Sequence, residues 1–320
     1  MNNRKAFTIV ELLTSVIIIA LLLGLLLPSI SMVRTKSKET SQKAQFATID
    51  MALEAFKQDY GDYPPSNRYE GAPIAPPRIY CGAQKLTEAL LGWDMAGFHP
   101  KTNWRRDGYT GTAVPIGGTD AYDPCRVRVT DITKGPDTLF ERKGPYLEVA
   151  KTPVFRLGTS NALANDGLYN STTNVNFTYF DSTVPNYVIC DVFGVKKLTI
   201  PRTSTQSVTA TAGTPVLYYK ANTNVKMLTC FPMAAPNSMY NYMDNIRLIN
   251  LGILPNATKP HTLSTAINEG YFCDPGYKIA DPRVPVLPTG ERWPNRPDTY
   301  ILLSAGADHE FGTKDDILNF

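Results

Sequence analysis

From Phe7 to Leu27 the chain is an almost unbroken run of Leu, Ile and Val, and a single acid, Glu11, sits inside it. As a helix this stretch extends roughly 31 Å, which matches the hydrocarbon core of a bilayer. Arg4 and Lys5 precede it. By the positive-inside rule they hold the N-terminus in the cytoplasm and send the remainder of the chain outward. A charged side chain at the centre of a membrane helix costs roughly 2.5 to 3.5 kcal/mol, so Glu11 asks for a cationic partner. The neighbouring sequence supplies none.

A cleaved secretory signal is the plain alternative, with Ser29 and Ser31 as small residues before a cut. Such signals keep their apolar region short and uncharged, whereas this one is long and carries Glu11 about a turn from its start. Beyond Pro28 the pattern also continues. Ile30, Val33, Phe46, Ile49, Leu53 and Phe56 recur on roughly one helical face, between Lys36, Lys38, Glu39, Lys43, Asp50 and Glu54. One helix is therefore expected over 7–60, membrane-spanning over 7–27, with Pro28 as a kink and Gly61 and the following prolines ending it. A cut between Ala6 and Phe7 would create an α-amine one helical turn from Glu11, on the same chain or a packed neighbour, and so provide the missing cation.

The basic leader "MNNRKA" followed by "FTIVELL" resembles the prepilin signature of type IV pilins and of the pseudopilins of type II secretion, in which Pro28 also has a counterpart. Many prepilins carry Gly before the cut, where this chain has Ala6. The resemblance implies removal of leader 1–6 by a prepilin peptidase, N-methylation of Phe7, and pairing of Glu11 with the Phe7 amine of an adjacent subunit during assembly. It further implies an inner-membrane, single-pass precursor with a cytoplasmic N-terminus and a periplasmic head. Other pilin-like subunits, an assembly platform and its ATPase are the implied partners.

The remainder, 61–320, reads as an α+β head: the long helix packed on an antiparallel sheet with long loop insertions. Twenty-five prolines, 22 glycines and 17 tyrosines against 19% charged residues favour strands and loops over a helical bundle. "CGAQKLTEALLGWD" (81–94) reads as a short helix ending at Gly92 and "HTLSTAINEGYF" (261–272) as another. Strands are expected at 126–132, 174–180, 186–194, 196–200, 214–221 and 298–306. The stretches 101–170 and 231–298 read as insertions. Tyr218 with Tyr219, and Tyr240 with Tyr242, read as packing residues. Cys81, Cys125, Cys190, Cys230 and Cys273 form no C-x-x-C pair and only three histidines accompany them, which disfavours zinc. Four paired with one left over, or five buried thiols, both stay open.

Removal of Arg4 and Lys5 lowers the formal charge from +3 by two, to +1, so no electrostatic footprint for nucleic acid remains. No nucleophile elbow, phosphate loop or H-E-x-x-H motif occurs, and no enzyme is expected. The last informative stretch is "SAGADHEFGTKDDILNF" (304–320), whose core 304–317 places Asp308, Asp315 and Asp316 on a segment turned by Gly306 and Gly312. Hard oxygen donors on a curling backbone are what Ca²⁺ takes, although the spacing is not that of an EF-hand; a solvated acidic turn is the other reading. This stretch looks like the calcium loop of the major pseudopilin of type II secretion. That likeness implies a structural Ca²⁺ held by Asp308, by Asp315 or Asp316, and by carbonyls near Ala305 and Glu310. A type IV or competence-pilus subunit, or a binding module merely anchored by the helix, are the remaining functional readings.

Overall fold

The computed structural model describes residues 8–67, 79–105, 122, 141–161, 164–180, 186–202, 206–224, 238–264, 269–273 and 294–320. The chain divides into two compact units, Met1–Ser41 and Gln42–Phe320, and helix α1 (Ile9–Tyr60) contributes to both. The helix continues on both sides of Pro28.

In the first unit α1 is apolar on every side. Leu12, Leu13, Val16, Ile17, Ile18, Ile19, Leu21, Leu22 and Leu23 are each more than half exposed. A helix of this kind needs lipid or other helices around it, since water gains nothing from any of its faces. Among the described residues no helix is long and apolar enough to cross a membrane. The described apolar side chains run from Ile9 to Gly24, roughly 24 Å of helix, because those at 25–29 lie outside the described set.

In the second unit the same helix becomes one-sided. Phe46, Ile49, Ala52, Leu53 and Phe56 are all buried, at the three- and four-residue spacing that places them on one face. Ile30 and Val33, expected on that stripe, belong to the first unit and are exposed at 39% and 66%. Helix α1 ends at Gly61, whose positive φ of 84° lets its N–H reach the Lys57 carbonyl at 2.7 Å. Helix α2 (Gly82–Leu91) ends the same way at Gly92, as the sequence predicts.

Among the described residues eight strands follow: β1 (Val154–Gly158), β2 (Gly167–Tyr169), β3 (Tyr187–Ile189), β4 (Lys196–Pro201), β5 (Ser207–Ala212), β6 (Leu217–Lys220), β7 (Tyr300–Ser304) and β8 (Ile317–Leu318). They pair as β2-β1-β3, β4-β5 and β6-β7-β8. The two three-stranded pieces meet where Cys190 bridges Pro215, with Val216 N–H donating to the Ile189 carbonyl and Asp191 N–H to the Thr214 carbonyl, both at 2.8 Å. Pro215 is tolerated there because the flanking residues, Val216 and Asp191, supply the N–H groups of the junction.

Alternate residues of β6 and β7 serve opposite faces. Tyr218, Tyr300 and Leu302 pack with Phe46, Leu53, Phe56 and Leu90 from the two helices. Leu217, Tyr219, Ile301 and Leu303 pack with Leu157, Leu168, Leu248 and Phe272 on the other side. The central strands are thus buried on both faces, and they read as apolar runs without polar alternation. Tyr218, Tyr219 and Tyr240 are core residues, in agreement with the packing reading.

Several expectations need correction. The sheet is not wholly antiparallel, since β1 and β2 run parallel. That pairing depends on two glycines: a Cβ on Gly167 would stand 2.3 Å from the Gly158 carbonyl carbon. Residues 174–180 are not a strand, because Asn174 turns its side chain to accept the Asn176 N–H at 3.0 Å and starts a 3₁₀ helix, Val175–Tyr179. A local Asx bond overrides the β-branched and aromatic composition there. Residues 261–272 give two 3₁₀ turns, Thr262–Ser264 and Glu269–Tyr271, in place of one helix. The stretch 101–170 is not purely an insertion, because it donates β1 and β2. The strand expected at 126–132 lies outside the described residues.

Four paired cysteines are excluded. Cys81 and Cys190 are buried free thiols, while Cys273 is in a disulfide. Burial pushes the Cys81 thiol up to about 12, so it is chemically quiet.

Truncating Leu302 to Ala should cost about 2 to 5 kcal/mol in denaturant unfolding of the detergent-solubilised chain, since its side chain is fully buried between helices and sheet. Val33→Ala, at an exposed site, should change stability by less than about 0.5 kcal/mol.

Candidate functional site

Two regions carry the residues singled out by the sequence. At the first, Ala6 and Phe7 lie outside the described residues. Glu11 does not stand alone: its Oε2 accepts the Thr8 main-chain N–H at 2.9 Å and the Thr8 hydroxyl at 2.8 Å. The Glu11 N–H in turn donates to Thr8 Oγ1 at 3.3 Å. This is a capping box, Thr-x-x-Glu, in which the acid satisfies a donor that the helix start leaves open. The Thr-x-x-Glu spacing is legible in "TIVE" (8–11). Thr8 supplies neutral donors only, and among the described residues no cationic side chain is paired with Glu11.

The second region is the hairpin between β7 and β8. After Ser304 the chain turns through Ala305 into a 3₁₀ turn, Gly306–Asp308, then through His309 at φ 63° and Gly312 at φ 104°, and returns at Ile317. Gly306 is required here, because a Cβ would meet the Asp315 carbonyl oxygen at 2.2 Å.

The acids do not act alike. Asp308 and Asp315 face each other across the turn: the Asp308 N–H donates to Asp315 Oδ2 at 2.9 Å, and Asp308 Oδ1 accepts the Glu310 N–H at 2.8 Å. The Thr313 hydroxyl donates to Asp315 Oδ1 at 2.5 Å. Burial, with Asp315 beside it, pushes Asp308 above its ordinary value. Burial also acts on Asp315, but the Thr313 hydroxyl and the Asp308 amide outweigh it and hold Asp315 low. Two carboxylates therefore adjoin, one held above and the other below its ordinary value.

Asp316 is used differently. Its Oδ2 accepts the N–H groups of Gly312 at 2.8 Å and Thr313 at 3.2 Å, and the Tyr271 hydroxyl. Its Oδ1 is buried with no hydrogen-bond partner among the described residues. Burial pushes Asp316 up to about 7.

The Glu310 carboxylate leaves this group for Lys259 at 2.6 Å and for the Thr262 hydroxyl, and Lys259 is the main reason its pKa is lowered. Its main chain serves the turn: the N–H donates to Asp308 Oδ1 and the carbonyl accepts the Thr313 hydroxyl at 3.2 Å. Among the described residues no three His, Cys, Asp or Glu side chains gather as a metal-binding group. The donors at the turn are two carboxylates, a hydroxyl and main-chain carbonyls. An all-oxygen set of net negative charge suits a hard cation, which draws several of its ligands from the main chain.

Sequence reasoning missed what braces this turn. His261 Nδ1 accepts the Phe311 N–H at 3.1 Å, and the Leu263 N–H donates to the Phe311 carbonyl at 2.9 Å. His261 and Tyr271 reach the loop from far along the chain, so no local spacing announces them.

Burial pushes His261 down to about 4. The folded chain keeps it neutral to that pH, while an unfolded chain protonates it near 6.5, so its contribution is full above 6.5 and is lost as pH falls towards 4. Asp316 works in the opposite sense, contributing most below about 4 and losing that contribution as pH rises to about 7. In calcium-free buffer the stability difference between wild type and His261→Gln should therefore shift by about 3 kcal/mol between pH 6.5 and 4, to the disadvantage of wild type as pH falls. A pH-independent difference would remove this account of His261.

The family described as "Prokaryotic N-terminal methylation motif" matches residues 1–27. The chain is 27% identical over 139 residues to the type II secretion system core protein G of Pseudomonas aeruginosa, an alignment covering 43% of this chain and 82% of that protein. No solved structure matches. A methylation motif at the N-terminus, a long helix on an α+β head and this similarity together support a pseudopilin of the G type.

Proposed function

We propose that the chain is a structural subunit of a type II secretion pseudopilus. It enters the inner membrane through α1 with its head on the periplasmic side. A prepilin peptidase removes residues 1–6, Phe7 is methylated, and subunits assemble through their N-terminal helices into a periplasmic filament. An assembly platform and its ATPase supply the work. The observation that carries this reading is Glu11, a charge in an all-round apolar helix whose only described partner is the neutral Thr8.

Cleavage after Ala6 places a new α-amine directly before Thr8, within reach of the carboxylate that Thr8 already holds. A neighbour's amine can then pair with Glu11 in the low dielectric between packed helices, where such a pair is far stronger than in water. Apolar surface that faced lipid is reburied against other subunits, and the charge pair sets their axial register. The role is mechanical, with no chemical step at the head.

At the second region, Asp308 and Asp315 would hold Ca²⁺ together with carbonyls near Ala305 and Glu310, and the ion would offset the repulsion of the two facing carboxylates. Asp316 then positions the loop from behind through Gly312, Thr313 and Tyr271. The ion is structural on this reading: it binds the folded hairpin and so stabilises it.

Mass spectrometry of the mature chain should find methylated Phe7 at the N-terminus, whereas a start near Met32 would point to an ordinary secretory signal. Glu11→Ala should leave the subunit in the membrane and abolish filaments; an anchored binding module would be indifferent to it. Saturating Ca²⁺ should raise stability by about 2.7 kcal/mol at a hundredfold excess over Kd. Asp315→Asn should abolish that gain, and a gain surviving it would remove Asp315 from the site.

A further inference from the structure

Between Glu11 and Glu39 the chain carries only three charged residues, Arg34, Lys36 and Lys38, and all are basic. They come immediately after Met32 and Val33, which are exposed at 69% and 66% and close the apolar part of α1. All three are exposed on the helix. At 100° per residue Arg34 and Lys38 lie within 40° of each other, while Lys36 is on the opposite side. The result is a basic collar around the helix.

We propose that this collar binds the anionic phosphate headgroups of the membrane leaflet on the head's side of α1. The inference rests on the reading of α1 as a membrane anchor. The occupant follows from position: a helix whose apolar surface is solvated by lipid up to Val33 places residue 34 at the level of the headgroups. Residue 38 is then roughly 6 Å further out, within reach of a long side chain extended back to the interface. Each Arg or Lys near an anionic surface is drawn to it, and the attraction fades within a Debye length. An acid interspersed among the three would blunt this, and none is present.

At the collar Lys36 pairs with Glu39 at 2.7 Å, with the lysine side chain 72% exposed. An exposed pair of this kind contributes little and gives way readily to a competing phosphate. The collar also opposes the positive-inside bias set by Arg4 and Lys5, so it is a cost to insertion that a headgroup contact offsets.

The test uses the full chain reconstituted in phosphatidylcholine vesicles, with spin-labelled phosphatidylglycerol or phosphatidylcholine as boundary-lipid probes. At low salt the chain should favour the anionic probe by about threefold or more. That preference should fall by about half or more in the R34Q/K36Q/K38Q variant, the remainder belonging to Arg4 and Lys5, and to parity near 1 M salt, where the Debye length shrinks to about 3 Å. E39Q should increase it, which guards against a triple variant that merely misfolds. Equal association of both probes with wild type, or a preference unchanged in the triple variant, overturns the proposal. If wild type shows no preference yet the triple variant fails to enter filaments, the collar serves a second copy of the chain, and the lipid assignment is wrong. Release of the chain from vesicles by alkaline carbonate would show separately that the anchoring itself had failed, and the collar assignment with it.

Discussion

The pairing of β6 with β7 is the constraint on which the head depends. Lys220 to Leu217 run against Tyr300 to Leu303 in register, so each strand offers Tyr218, Tyr300 and Leu302 to the helical layer and Leu217, Tyr219, Ile301 and Leu303 to the other. A slip of one residue would exchange the two sets and put the tyrosine hydroxyls in the wrong layer. On the helical side Tyr218 donates to the Pro64 carbonyl at 2.7 Å and Tyr300 to Asp50 Oδ1 at 2.7 Å. Buried polar groups of this kind must be paired, and their pairing is available in only one register.

The same strand pair delivers the acidic turn. Strand β7 continues from the core directly into Ala305 and Gly306, and β8 returns beside it, so the turn's stems are as fixed as the centre of the sheet. Ser304 adds a polar tie, donating to the buried Asp191 carboxylate at 3.0 Å. Two neighbouring carboxylates are thereby kept close in spite of their repulsion, at a cost met by burial elsewhere in the head. An analogous tension exists at Glu11, where local hydrogen bonds hold an acid in place without neutralising it. Both regions are organised around negative charge held in place by neutral hydrogen-bond donors.

The N-terminal region was largely legible because its chemistry is local. Leader, small residue, Phe7, Glu11 and the apolar run occupy consecutive positions, and the stripe of Phe46, Ile49, Leu53 and Phe56 follows helical periodicity. Gly61 and Gly92 marked their helix ends for the same reason. Residues 174–180 were misread because composition suggested a strand, while one side-chain bond from Asn174 decided otherwise. The two-residue strand β8 was too short to have a pattern, and the parallel β1–β2 pair depends on close approach of Gly158 and Gly167, which no single-strand signal reveals.

The sequence by itself determined the kind of protein this is: an apolar N-terminal helix with one acid, a basic leader, an α+β head and an oxygen-rich terminal turn. Periodicity and short-range spacing are properties of the chain, so they survive without a fold. Only the tertiary structure decided the division of labour among the acids. Asp315 faces Asp308, Asp316 is claimed by Gly312, Thr313 and Tyr271, and Glu310 is drawn off by Lys259 and Thr262. Adjacent aspartates look equivalent in one dimension. What separates them is which distant donors the packed core brings within hydrogen-bonding reach, and that is settled by long-range burial.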